Sequence, residues 1–255
     1  MTTYTSQPAE ADGIETYISD DAATTNYGTD AEVNVGAGAG GSVKRTLIKF
    51  DLSKGTNPPE PDATITSATL TLYLNSETSG SAVTLDLYKC LRNWVESQAT
   101  WNAYSTGNNW ATAGCGNITT DRANVVLGQL SLSATEAAGA KAITLDTDLV
   151  QGWLTGTIPN YGLLGKTSNE DANTRYLFAS STDGTASHRP KLVIEYTESV
   201  SGSYAMAGFN LTNPTSDELP ELIYRQKDYV LSFEKKKYDL FYKAKDYILS
   251  FIKRS

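Results

Sequence analysis

Residues 64–74 read Thr-Ile-Thr-Ser-Ala-Thr-Leu-Thr-Leu-Tyr-Leu. From Ala68 every second residue is apolar: Ala68, Leu70, Leu72 and Leu74. Side chains of an extended strand point alternately to its two faces, so these four share one face and Thr69, Thr71 and Tyr73 the other. A segment patterned in this way is a half-buried strand. Its limits are set by turn signals. Pro58, Pro59 and Pro61 lie in a loop before it, and 76–81 reads as a turn after it.

The same alternation recurs in both directions. Before this segment, strands are expected at 11–18, 32–35 and 43–52, with a turn-rich 20–30 and a glycine-rich loop at 36–41 between them. After it, strands are expected at 82–90, 125–132, 142–145, 175–180 and 191–196. Residues 1–10 are polar and carry no such row. One stretch, 147–156, has helical spacing: Leu149, Val150 and Trp153 form an apolar face behind a capping Asp146 or Thr147. Another, 93–117, sets Trp94, Trp101 and Trp110 among Asn, Gly, Ser and Thr, and reads as a long ordered loop. About ten short strands with almost no helix predict an all-β fold, a jelly-roll β-sandwich over residues 1–198.

The end of the chain is different. A linker over 199–220 leads to a repeat tail over 221–255. Three nine-residue units align, opened by Lys227, Lys236 and Lys245. Their apolar positions are Tyr229, Leu231 and Phe233, then Tyr238, Leu240 and Tyr242, then Tyr247, Leu249 and Phe251. Strict alternation within each unit reads as strand. The period is odd, so equivalent faces require corners, expected at 235–237 and 243–245. No Gly or Pro lies between Glu221 and Ser255, which argues against tight hairpins. A helix is the competing pattern, with Leu240, Ala244, Tyr247, Ile248 and Phe251 on one face. Such a row of aromatics needs a partner, so these nine residues are the expected oligomer or anchor contacts.

Charge divides along the same boundary. From Arg225 onward nine Lys/Arg stand against four Asp/Glu, net +5, leaving −13 for the rest of a chain whose total is −8. An acidic body and a basic tail suggest different partners. Nucleic acid is not the expected one, because the lysines alternate with an apolar row that must itself be buried. No apolar run reaches the ~18 residues of a membrane-spanning helix, and no secretory signal is read at the N-terminus.

Residues from about Ile14 to Thr197 resemble the DNRLRE domain, a carbohydrate-binding-module-like jelly roll. The matching pieces are Asn26-Tyr27-Gly28, Arg45 through Phe50-Asp51, and the Ala68, Leu70, Leu72 row. They continue with Trp94, Trp101-Asn102, Trp153, Asn160-Tyr161-Gly162 and the closing Arg189-Pro190 to Tyr196. The resemblance implies a jelly roll found in surface proteins and polysaccharide-degrading enzymes, with Trp94, Trp101 and Trp153 packing the core edge. The tail is similar to β-repeat tails of phage decoration and head-fibre proteins.

Candidate chemistry is sparse. The one histidine, His188, stands at the entry to a closing strand, and no acid–base pair or nucleotide-binding glycine pattern is seen, so no enzyme is expected. Trp110, in a polar loop, is the candidate for stacking on a sugar. A structural Ca²⁺ could draw on Asp20, Asp21 or Asp30, but an ordinary solvated turn is the favoured reading of these acids, and no cofactor is expected. Cys90 and Cys115 fit no metal motif and are read as free buried thiols, with a single disulfide as the alternative. The expected role is a phage virion-surface protein that multimerises, as a trimer or other symmetric assembly, or attaches to a capsid protein through its tail, and meets a host-surface glycan. The alternative is a carbohydrate-binding module of a surface protein or polysaccharide-degrading enzyme.

Overall fold

The computed structural model describes residues 1–9, 14–171 and 173–198, and four short backbone strands beyond them. In chain order the first strands are β1 (Thr2–Ser6), β2 (Ile14–Ser19), β3 (Glu32–Ala37), β4 (Val43–Lys49), β5 (Thr64–Ser79) and β6 (Val83–Cys90). A minor hairpin follows, β7 (Ala103–Ser105) with β8 (Asn108–Asn109), then β9 (Arg122–Leu132) and β10 (Gly139–Thr144). The helix α1 (Thr147–Thr155) precedes β11 (Leu163–Thr167), β12 (Thr174–Ala179) and β13 (Lys191–Thr197). Every pairing is antiparallel.

These strands form the two layers of a jelly-roll sandwich. One layer runs β1-β13-β5-β12-β3, with β10 also on β5; the other runs β4-β11-β6-β9, with β2 also on β4. The two are joined through β3, which pairs with β12 over Glu32–Val35 and then with β4 through Gly36 and Ala37. β5, which contains residues 64–74, is the spine of the first layer. Lys191 to Thr197 pair along its first half, Thr174 to Phe178 along its second, and β10 across its middle. Ala68, Leu70, Leu72 and Leu74 are buried between the layers, together with Val33, Val35, Tyr176, Phe178, Leu192 and Ile194.

Two expectations need correcting. The polar N-terminus forms β1, paired with β13 from Thr2 opposite Tyr196 to Ser6 opposite Leu192. It lacks an apolar row because only Tyr4 carries its apolar burial, with the ring fully enclosed and its hydroxyl donating to the Asp51 carbonyl. The turn expected at 76–81 starts late: β5 continues to Ser79 because β12 supplies hydrogen-bonding partners that outweigh the polar local sequence. The helix forms as expected. Asp146 caps it by accepting from Leu149 N at 2.9 Å, and Gln151 ties it to the start of β5 through Ile65 N and the Ala63 carbonyl.

The chain divides into two compact units, Met1–Ser201 and Gly202–Ser255. In the second, β14 (Tyr224–Gln226) pairs with β15 (Tyr229–Leu231), and β16 (Tyr238–Phe241) with β17 (Ser250–Lys253). Gln226 stands opposite Tyr229, and the two residues between them lie outside the described residues. The strands are also shorter than the nine-residue units. Tyr229, Leu231, Tyr238, Leu240 and Phe251 lie in them, with Leu240 opposite Phe251. Phe233, Tyr242, Tyr247, Leu249, the expected corners and the linker 199–220 lie outside the described residues, except that Ser199–Ser201 fall by sequence within the first unit.

Candidate functional site

Neighbouring residues of one strand face opposite ways, and in the second layer both directions are buried. Ile48 and Leu163 enter the sandwich core, whereas Leu47 and Leu164 face outward. The outer face is covered by the tryptophan loop between β6 and β9, and a second apolar core forms there from Ile18, Leu47, Leu164, Cys90, Trp94, Ala99, Trp110 and Cys115.

The loop is held by polar groups at its base. Asp121 is fully buried, and its carboxylate accepts from Ala111 N, Thr112 N and Asn117 N at 2.9, 2.9 and 3.1 Å. Both Asn-Tyr-Gly motifs serve this loop or the strand beneath it, by one device. In each, the Asn Oδ1 accepts from the Gly N two residues on, which frees Nδ2 to reach a distant carbonyl. Asn26 thereby donates to the Glu96 and Ala99 carbonyls, and Asn160 to that of Phe50. Gly is required in both because a Cβ would stand 2.8 Å from Glu96 O at position 28 and 2.3 Å from Ile48 O at position 162. Trp94 Nε1 donates to Tyr161 O at 2.8 Å. Arg45 clamps Glu170 with two 2.8 Å hydrogen bonds, donates to Gly114 O and lies over the Trp101 ring.

The described domain carries a neutral and a charged depression. The first, about 500 Å³, lies over the loop and is lined by Thr24, Gln98, Thr100, Asn102, Asn109 and Trp110, among others. The side chains that line it are uncharged. Trp110 is not the exposed stacking platform expected from its polar neighbours. It is 4% exposed, its indole N–H donates to the Thr100 carbonyl, and Tyr104 packs against it at 5.5 Å. Its surroundings are polar in sequence because they form the outer wall of a core.

The second depression, about 750 Å³, lies on the outer face of the first layer. Glu32 and Asn34 of β3, Asn75 of β5, and Arg175 and Leu177 of β12 line it, each alternating with a core residue. Tyr17 and Lys44 reach it from the second layer, and Asp30 and Asp183 from loops. Tyr17 donates to Asp30 Oδ2 at 3.2 Å and stacks on Tyr27 at 4.1 Å between ring centres. Burial first, then the Asp30 carboxylate and Tyr27, hold the Tyr17 hydroxyl far above its ordinary value, so it stays a neutral donor. Asn75 Nδ2 donates to Glu32 at 2.9 Å. Arg175 Nε is buried with no hydrogen-bond partner. A buried donor without an acceptor costs about 1–3 kcal/mol, and a ligand oxygen or a water would recover it.

The remaining candidates are dispersed. Asp20 accepts from Val43 N, Asp21 from Ser19 and Lys44, and Asp30 from Tyr17, so these acids serve separate partners. Among the described residues no three His, Cys, Asp or Glu side chains come together as a metal-holding group. His188 stacks on Tyr73 at 3.6 Å, with Nδ1 3.8 Å from Asp183. No helix among the described residues is long and apolar enough to cross a membrane.

A jelly roll whose open surface gathers carboxylates, amides, a guanidinium and a tyrosine has the chemistry of a module that binds hydroxyl-rich ligands. Comparison with known families agrees: residues 3–123 match the model of carbohydrate-binding module family 96. The domain is thus carbohydrate-binding-module-like. The matched stretch runs from β1 to the start of β9, including the whole tryptophan loop, and supplies Tyr17, Asp30, Glu32, Asn34, Lys44 and Asn75 of the charged depression. Arg175, Leu177 and Asp183 come from beyond it. No curated protein matches the chain.

Sequence reasoning missed the charged depression. Asn75, Arg175 and Glu32 are far apart in the chain, and only register brings them together. A partial signal was present: the alternation of Arg175, Tyr176, Leu177 and Phe178 places Arg175 on the face opposite two large aromatics.

Proposed function

We propose that the domain is a carbohydrate-binding module of the DNRLRE type, and that it holds its glycan in the charged depression. The match of residues 3–123 carries the functional class. The unpartnered Arg175 Nε, beside a carboxylate–amide pair, supports the choice of site. Planar amide, carboxylate and guanidinium groups hydrogen-bond vicinal hydroxyls in pairs. The test is a glycan array followed by calorimetric titration of the full chain. Arg175→Ala combined with Asn75→Ala is expected to weaken binding at least about tenfold, the equivalent of about 1.4 kcal/mol, while Asn109→Ala in the neutral depression leaves it unchanged. A folded protein that retains no glycan would overturn the proposal.

The tail is proposed to join copies of the chain or to anchor it to another protein. Two-stranded pairs this short have too little core to stand alone, which supports burial of their apolar rows against a partner. Display on a phage virion finds no support in the family match. The family match instead favours the carbohydrate reading, in which the tail gathers binding domains and raises avidity.

A further inference from the structure

Cys90 ends β6, and Cys115 stands between Gly114 and Gly116 in the tryptophan loop. Both are free thiols enclosed in the second core, at 1% and 0% exposure. Several contacts converge on them. Cys90 pairs with Arg122 across the ladder, Leu91 N donates to the Asp121 carbonyl at 2.8 Å, and Cys115 Sγ lies 3.5 Å from that same carbonyl. Cys90 and Cys115 pack in the same buried cluster. The backbone is bent to achieve this. Cys115 has φ 55°, directly after Gly114 at 76°, a left-handed pair that a residue with a side chain seldom joins. The effect of the turn is to aim Sγ inward at the end of β6.

We infer that Cys90 and Cys115 form an intramolecular disulfide that clamps the base of the tryptophan loop. The bond is made during folding, before the loop closes. In the closed loop, burial above all, then the contact with Cys90, pushes the Cys115 thiol well up, so it supplies little thiolate. While the loop is open, one cysteine thiolate attacks a small-molecule disulfide such as oxidised glutathione and releases one glutathione thiolate. The second cysteine attacks the mixed disulfide and releases the other. The two cysteines lose two protons and two electrons, one sulfur–sulfur bond breaks, one forms, and the glutathione disulfide is reduced to two thiols. The link closes a loop of about 25 residues, which restricts the unfolded chain and raises stability. Trp94, Trp101 and Trp110 and most of the neutral depression's lining lie inside that loop.

The experiment refolds the full chain from denaturant in a mixture of reduced and oxidised glutathione, then alkylates it under denaturing conditions. Mass spectrometry is expected to find a monomer two hydrogens lighter, unalkylated, with a linked peptide containing Cys90 and Cys115. Its Tm is expected to exceed that of the dithiothreitol-reduced form by about 5–10 °C. The double variant Cys90→Ala with Cys115→Ala serves as the control: its Tm should not respond to reductant. Two alkylated cysteines after refolding, linkage between chains, or an oxidised form no more stable than the reduced one would each overturn the inference.

Discussion

The domain has two hydrophobic cores, built in opposite ways. The sandwich core is made by strands: its residues arrive by alternation, most are aliphatic, and both walls are hydrogen-bonded layers. The second core is made by a loop: one wall is the outer face of a layer, and the other is a segment with almost no regular structure, held by Asp121, Asn26 and Arg45. In the first, the backbone satisfies itself and apolar side chains fill the space. In the second, buried polar side chains must satisfy the loop backbone before tryptophans can pack beneath it. The two cores should therefore fail differently, the first globally and the second locally.

Leu74→Ala removes a fully buried side chain of the spine strand and should produce the largest effect, a loss of about 3 kcal/mol. Urea unfolding would show the midpoint shifted and the slope unchanged, with the whole domain melting in one step. Asp121→Ala comes next, at about 2 kcal/mol, because three backbone N–H groups lose their acceptor. Here the β-sheet circular dichroism should persist while tryptophan emission shifts to the red; simultaneous loss of both signals would erase the distinction between the cores. Asn26→Ala and Asn160→Ala should each cost about 1 kcal/mol, and Asn26→Ala alone should loosen the loop between Glu96 and Ala99, as read by amide exchange.

The smallest effect is in pH dependence. Burial raises the Glu170 carboxyl, but the hydrogen bonds and charge of Arg45, with Lys166, outweigh this and leave it lowered. Its stabilising contribution is thus present above the unfolded value of 4.5 and lost as pH falls through the lower folded value. Burial dominates at Glu15, whose carboxyl is raised despite the hydrogen bonds from Ser181. Ionised Glu15 costs stability once pH rises above 4.5, and the cost is fully expressed above the raised folded value. In a Tm scan from pH 7 down to about 3, Glu170→Gln should flatten the acid loss expected of the native chain below 4.5, while Glu15→Gln should steepen the profile above 4.5.

The strand-built core was legible in the sequence and the loop-built one was not. Residues 64–74 announce their buried face because period-two patterning needs no knowledge of the partner strand. Trp110 misled because local polarity describes the solvent side of a loop and is silent about what an indole packs on. The Asn-Tyr-Gly motifs were visible as turns, but their free Nδ2 donors take meaning only from carbonyls about 70 and 110 residues away. β1 was missed for the same reason, since its pairing is specified by β13. The charged depression depends on the register of β3, β5 and β12, which no single stretch encodes.

The pairing of β1 with β13 has a mechanical consequence. The domain's chain enters at Thr2 and leaves at Thr197 along adjacent antiparallel strands, with Thr2 opposite Tyr196. Tension applied through the two ends would load that first pair alone and open the ladder one rung at a time, rather than shearing all rungs together. Pulled by its two ends, the domain would yield at this edge first, well away in sequence from the tryptophan loop.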